Sequence, residues 1–196
     1  MDYHHGDLRS ALVKAARSIL EEHGIEKTSL RATAREAGVS EAAPYHHFKD
    51  KNALLSAVAA DGFRDFTKAL ASAAASDEGA IEGHRASGVA YVKFATENPH
   101  LFRLMFGSAR NEMKAPPGCD DDVKQASRDS FSALQTRAAA TANKDKPDAE
   151  AALMALKDWA VVHGLATLFI DGRIDLAGYG AKDIGDLAAR VIQMQR

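Results

Sequence analysis

Residues 28–55 read TSLRATAREAGVSEAAPYHHFKDKNALL. Thr28 or Ser29 can accept a hydrogen bond from a free N–H of the helix that follows, and in that helix Leu30, Ala34 and Ala37 recur at helical spacing while Arg31, Arg35 and Glu36 face outward. Gly38 readily takes the left-handed conformation that closes a helix, and Val39 places an apolar plug behind the turn. Ser40 is a second N-cap candidate, so another helix is expected within a few residues, and Asp50 is a candidate cap for a third. Two short helices joined by a glycine-containing turn, with a third directly behind, form the geometry in which the second helix enters the major groove of DNA.

The composition of that second helix agrees. A helix presented to a groove needs small residues where backbone meets DNA and polar or aromatic tips that reach phosphates and base edges; Glu41, Ala42, Ala43, Tyr45, His46 and His47 meet this need. Phe48 is the apolar anchor that returns it to the core. Lys51 falls in the first turn of the third helix, where a cation is unfavourable unless an anion is near, and a DNA phosphate is such an anion. Pro44 removes an N–H and pushes Ala43 toward extended conformations, so regular helix is expected to begin at Pro44. Expected DNA contacts are Thr28, Arg31, Ser40, Glu41, Ala42, Ala43, Tyr45, His46, His47 and Lys51.

Residues 7–55, with the run GVSEAAPYHHFKDKNALL, resemble the DNA-binding domain of the TetR/AcrR family of one-component transcriptional regulators. The Gly-Val-Ser turn, the Tyr-His-His-Phe end and the following lysine occur together in register, and Pro44 stands where that family most often has an aliphatic residue. The string WAVVHGLATLFIDG, from Trp159, and the last helix resemble the terminal pair through which such proteins dimerise as a four-helix bundle, of the Trp-His-Gly type. The resemblance implies an all-α chain: a helix-turn-helix domain over residues 1–53 and a helical ligand-binding and dimerisation domain over 54–196. It also implies double-stranded DNA, a small-molecule effector and a second copy as partners. Ala160, Gly164 and Ala166 are small enough to let helices of two copies approach closely.

Length and composition set the outer bounds. The 196 residues suffice for a proper core, and 46% hydrophobic with 27% charged residues is ordinary for a globular protein. The single cysteine, Cys119, excludes a disulfide within one chain and fits a reducing cytoplasm. Neither a secretory leader nor a run of about 18 apolar residues is read in the chain, so a cytoplasmic location without a membrane partner is expected. A net charge of −2 and a pI near 6.4 supply no bulk attraction to DNA. Through residue 68, ten Lys and Arg balance ten Asp and Glu, so any DNA affinity rests on Lys27, Arg31, Arg35, Lys49 and Lys51 facing one way.

Around the motif, residues 1–6 read as a polar arm, and Asp7 as the cap of a helix with Leu8, Leu12, Ala16, Ile19 and Leu20 on its buried stripe, ended by Gly24. One long helix continues past Leu55 through Phe63, Phe66 and Leu70, and ASAAASDEG is a loose junction. A helix over 81–96 is broken by Pro99, LFRLMFG is buried, and NEMKAPPGCDDD is a loop whose acidic end caps the next helix, over 123–142. Pro147 signals the start of a strongly apolar helix, and 184–194 forms the last. Phe63, Tyr91, Phe94, Phe102, Met105, Phe131, Trp159 and His163 are the candidate ligand contacts, pointing to an apolar or aromatic molecule.

Other chemistries find little support. The Glu-x-x-His of Glu97 and His100 contains Pro99 and has no second copy, Cys119 sits in an acidic Pro/Gly loop, and no phosphate loop, zinc spacing or nucleophile elbow occurs. Neither an enzyme, a cofactor nor a metal site is expected. Two readings remain: a homodimeric repressor of a palindromic operator released by a small ligand, or a helical carrier or scaffold whose N-terminal motif only packs.

Overall fold

A computed structural model describes residues 5–75, 79–107 and 119–194. Every regular element among them is helical: α1 (His5–Lys27), α2 (Leu30–Glu36), a 3-10 turn (Ala43–His46), α3 (Lys51–Ala75), α4 (Ala80–Glu97), α5 (Pro99–Phe106), α6 (Cys119–Thr141), α7 (Ala149–Ile170), a short 3-10 turn (Ala177–Tyr179) and α8 (Ile184–Gln193). The chain is all-α, as expected. It divides into two compact units, one of Met1–Phe63 with Asn98–Ser127, the other of Arg64–Glu97 with Arg128–Arg196.

In the first unit, α1 buries Leu12, Val13, Ala16, Ile19 and Leu20. Its regular winding stops at Gly24, whose φ of 77° suits a residue without a side chain. The helix begins at His5, so Asp7 lies inside it and is not its N-cap. Ser29, not Thr28, caps α2, its hydroxyl accepting from the Ala32 N–H at 3.1 Å. The other end of α2 closes with the Val39 N–H on the Ala34 carbonyl at 3.0 Å and the Gly38 N–H on the Arg35 carbonyl at 3.1 Å, the paired bonds of a Schellman ending. Asp50 caps α3 as expected, accepting from the Ala53 N–H at 2.8 Å.

α5, whose Leu101, Phe102, Leu104 and Met105 are buried, packs on α1. Its N-terminus uses residues that the local sequence does not advertise. The Glu21 carboxylate accepts from the Leu101 N–H at 2.8 Å, and Arg17 reaches both Asn98, at 3.4 Å, and Asp61, at 3.5 Å. Gly62 leaves no room for a Cβ, which would lie 2.9 Å from side-chain atoms of Leu101 and Met105.

In the second unit, α4 packs on both α7 and α8. Tyr91, Val92 and Ala95 of α4, Ala151, Ala155, Val162 and Ala166 of α7, and Leu187, Ala188 and Ile192 of α8 are buried. Gly88 admits α8, because a Cβ there would meet the Ile192 side chain at 2.9 Å. α7 starts one residue after the cap Asp148, which accepts from the Ala151 N–H at 2.9 Å, and Asp183 caps α8 on the Asp186 N–H at 2.8 Å. α6 begins at Cys119, earlier than the expected start at 123, so Asp120, Asp121 and Asp122 lie in its first turn and not in a preceding loop. Of the loop expected over 111–122, residues 111–118 fall outside the described residues, as do residues 1–4 of the expected arm, while His5 and Gly6 lie in α1.

Candidate DNA interface and aromatic cluster

Pro44 decides the shape of the reading segment. An α-helix entering at Ser40 requires the residue-44 N–H to bond the Ser40 carbonyl, and proline has none. The Ala43 N–H takes that carbonyl instead at 3.0 Å, the Tyr45 N–H takes Ala42 at 3.2 Å and the His47 N–H takes Pro44 at 3.0 Å. These three-residue spacings make a 3-10 turn over Ala43–His46. Ser40 is therefore not an N-cap; Ala42 holds that position, with no side-chain cap. The expected displacement of regular structure toward Pro44 is observed, but as a 3-10 turn starting one residue earlier.

Pro44 and Phe48 are buried beneath this turn, and the Arg9 guanidinium lies over the Phe48 ring at 5.4 Å from its centroid. Outward stand Ser40, Glu41, Ala42, Tyr45 and His46, with Ala43 and His47 half-buried at the edge. Tyr45 is 53% exposed, far more than an aromatic ring kept for packing. Arg31 is exposed and 3.8 Å from the Glu41 carboxylate, an exposed contact too weak to withhold its charge from a phosphate.

Two expected contacts are placed elsewhere. The Thr28 side chain is fully buried, its hydroxyl donating to the Gly24 carbonyl at 3.1 Å, so it has no surface to offer to DNA. Lys51 donates to the Ile25 carbonyl at 2.7 Å and approaches the Glu26 carbonyl at 3.4 Å. The negative partner that a lysine at a helix N-terminus needs is thus the carbonyl end of α1, inside the protein. Sequence spacing could not show this, because the partners lie about 25 residues upstream.

The candidate ligand contacts fall in both units. Phe63, Phe102 and Met105 are core residues of the first unit, where Phe106 contacts Phe63 at 5.2 Å and Phe102 at 4.9 Å between ring centroids. Tyr91, Phe94, Phe131, Trp159 and His163 belong to the second unit. There Phe66 meets Tyr91 at 4.9 Å and Phe94 at 5.3 Å, and Trp159 meets Phe131 at 5.8 Å and His163 at 5.7 Å.

A hydrogen-bonded chain runs through this second group. The Trp159 indole N–H donates to the Tyr91 hydroxyl at 3.1 Å, and that hydroxyl lies 2.8 Å from His163 Nδ1. With Trp159 donating to its oxygen, Tyr91 keeps its hydrogen available for His163 Nδ1, the arrangement of a neutral ring protonated at Nε2. Burial pushes the Tyr91 phenol well above its ordinary range, only partly opposed by the Trp159 hydrogen bond, and burial also holds the His163 imidazole below its ordinary value. Both groups are neutral near pH 7, as the chain requires. Nearby on the same helices, His84 Nε2 lies 2.9 Å from the Asp158 carboxylate, while its buried Nδ1 finds no partner among the described residues. No group of three or more His, Cys, Asp or Glu able to hold a metal occurs among the described residues.

An exposed polar and aromatic turn, preceded by the long α1 and the short, Ser29-capped α2 and followed by the long α3, defines a helix-turn-helix DNA-binding protein with a helical second unit. Residues 12–58 match the family model "Bacterial regulatory proteins, tetR family" and residues 84–194 match "Tetracyclin repressor-like, C-terminal domain". A structure of a protein of unknown function from Rhodococcus sp. RHA1 is similar at 35% identity and a TM-score of 0.79, over 98% of this chain and 95% of that one. A TetR family transcription regulator from Marinobacter aquaeolei VT8 shares the fold at 20% identity and a TM-score of 0.63, over 94% of this chain and 92% of that one. No curated protein matches the chain. The chain belongs to the TetR family of transcription regulators and carries that family's DNA-binding helix-turn-helix domain.

Proposed function

We propose that the protein is a homodimeric repressor that reads a palindromic operator through the turn around Tyr45 and leaves it when a small molecule enters the second unit. The observation that carries the reading is the outward display of Ser40, Glu41, Ala42, Tyr45 and His46 on a turn whose other side, Pro44 and Phe48, is buried. Arg31 supplies a cation beside it. Ala43 and His47 lie at the edge of the contact surface, and Lys51 serves by holding the base of α3.

The dimer reading rests on α7. Leu153, Leu156 and Leu168 are exposed, and with Ala160 and Gly164 they form one stripe at helical spacing. α7 is also long and apolar enough to cross a membrane, but Lys157 and Asp158 near its middle and its buried contacts with α4 and α8 favour a helix packed on protein. Gly164 is informative: a Cβ there would meet nothing within 4 Å, so packing inside the chain gives no reason for a residue that weakens a helix by about 1 kcal/mol. A second copy crossing near Ala160 and Gly164 gives one. Ala166, expected at this contact, is fully buried within its own unit and takes no part.

Two copies related by a two-fold axis present two reading turns to successive major grooves, about 34 Å apart. An effector that binds about 100-fold better to a dimer with mis-spaced turns shifts the equilibrium by roughly 3 kcal/mol. α3 and α6 each contribute to both units, giving continuous helices along which such a shift can pass. The test is selection of random duplexes on the purified protein at two salt concentrations. A two-fold symmetric site that weakens with salt is expected; recovery of nothing above background from the folded, ligand-free protein returns the carrier reading to the front.

A further inference from the structure

Arg137 of α6 differs from the second unit's other unpaired cations among the described residues, Lys68, Lys146 and Arg173, which are exposed. Lys144 pairs with Asp148 and Glu150, Arg85 with Glu82, and Arg190 with Asp186 and the Tyr179 carbonyl. Asp158 is occupied by His84 and Lys157. Arg137 is half-buried, and among the described residues its guanidinium makes neither a hydrogen bond nor an ion pair. Burial lowers its pKa from the ordinary arginine value, with no carboxylate to oppose the effect. A partly desolvated cation with five donors and no acceptor is costly unless something completes it.

Its place on α6 indicates what that is. Arg137 follows Ser130 by seven residues, on the same helical face, and Ser130 is hydrogen-bonded to Thr67 at 2.5 Å, so this face turns into the unit. Phe131, six residues before Arg137 on the same helix, meets Trp159, the head of the Trp159–Tyr91–His163 chain. Leu134, half-buried, lies between Phe131 and Arg137, which are about 9 Å apart along the helix axis.

We propose that Arg137 is the anion anchor of the effector site, and that the effector is an organic carboxylate whose apolar body crosses Leu134 toward Phe131 and Trp159 while its headgroup takes the guanidinium. The planar fork of arginine matches the two oxygens of a carboxylate. The inference rests on the reading of the second unit as the effector domain and names the chemistry that domain selects.

The intact protein is titrated, without DNA, with 3-phenylpropionate, octanoate, phenyl phosphate and the neutral 3-phenylpropionamide, following the emission of Trp159, the single tryptophan. At least one carboxylate should perturb it, the amide should bind tenfold or more weakly than its acid, and Arg137→Gln should abolish that difference. Equal binding of acid and amide, acid binding unchanged in Arg137→Gln, preference for phenyl phosphate over both carboxylates, or no response to any acid overturns the proposal. Arg137→Met should melt no lower than the native protein without ligand, since an apolar side chain replaces an unpaired cation; a fall of several degrees makes the arginine a structural residue and overturns the proposal too. Operator affinity is measured separately. A failed anchor leaves DNA reading intact, whereas acids that bind through Arg137 yet do not change operator affinity sink the effector reading alone.

Discussion

At the scale of single residues, chemistry and position separate most clearly at Thr28, Lys51 and Tyr45. Thr28→Val removes a buried hydrogen bond and should lower stability by about 1 kcal/mol, seen in urea unfolding, while the folded fraction keeps its operator affinity. Tyr45→Ala should do the reverse: an unchanged melting temperature and at least tenfold weaker operator binding, read by fluorescence anisotropy. Equal losses of stability in both variants would remove the distinction drawn between them. Lys51→Ala cannot serve as a clean probe of DNA contact, because it strips a donor from the Ile25 carbonyl. His163 carries a pH signature. Its imidazole is harder to protonate in the folded chain, so the unfolded state binds the proton more readily as pH drops below the ordinary value of 6.5. The melting temperature should therefore fall between pH 7 and pH 5, and His163→Asn, which keeps an acceptor for Tyr91, should flatten that dependence. The residue types of the reading turn were legible from sequence because their roles follow from polarity and spacing. Thr28 and Lys51 were not, since a hydroxyl or ammonium suits a phosphate and a backbone carbonyl equally well.

At the scale of elements, Pro44 turns a composition argument into a geometric one. Its missing N–H was readable; that the backbone would answer with a 3-10 turn, leaving Ser40 uncapping, was not, because the choice depends on Pro44 and Phe48 both finding room in the core. Pro44→Ala restores the donor to Ser40 and should lengthen the reading helix by a turn, so a repeated duplex selection should return a different preferred half-site. An identical site would mean that the turn's exposed residues, not its winding, set the preference. The glycine signals were legible for a different reason: a Schellman ending needs a left-handed residue, and Gly38, at φ 67°, supplies it. The α5 terminus was not legible, since its cap comes from Glu21, some 80 residues earlier.

At the scale of the whole molecule, the dimer is the claim most open to a single substitution. Gly164→Leu places a large side chain where the chain itself has open space, so the protomer should fold normally and melt at a similar temperature at high dilution. Sedimentation should show it shifted toward monomer by at least tenfold in dissociation constant, with operator affinity falling alongside; a fully dimeric Gly164→Leu would move the contact off this stripe. The helical architecture was legible from periodicity, but the grouping of the candidate ligand contacts was not, because Phe63 and Phe66 sit one turn apart on α3 and yet fall in different compact units. That partition bears on how the protein is made. The first unit needs Asn98–Ser127 as well as its N-terminal segment, with Leu101 and Met105 packed against Gly62 and Glu21 capping α5. On a ribosome, then, the DNA-reading half emerges first but must wait for a stretch of chain synthesised after all of α4, and a fragment cut at residue 63 is expected to leave the exit tunnel without a finished core.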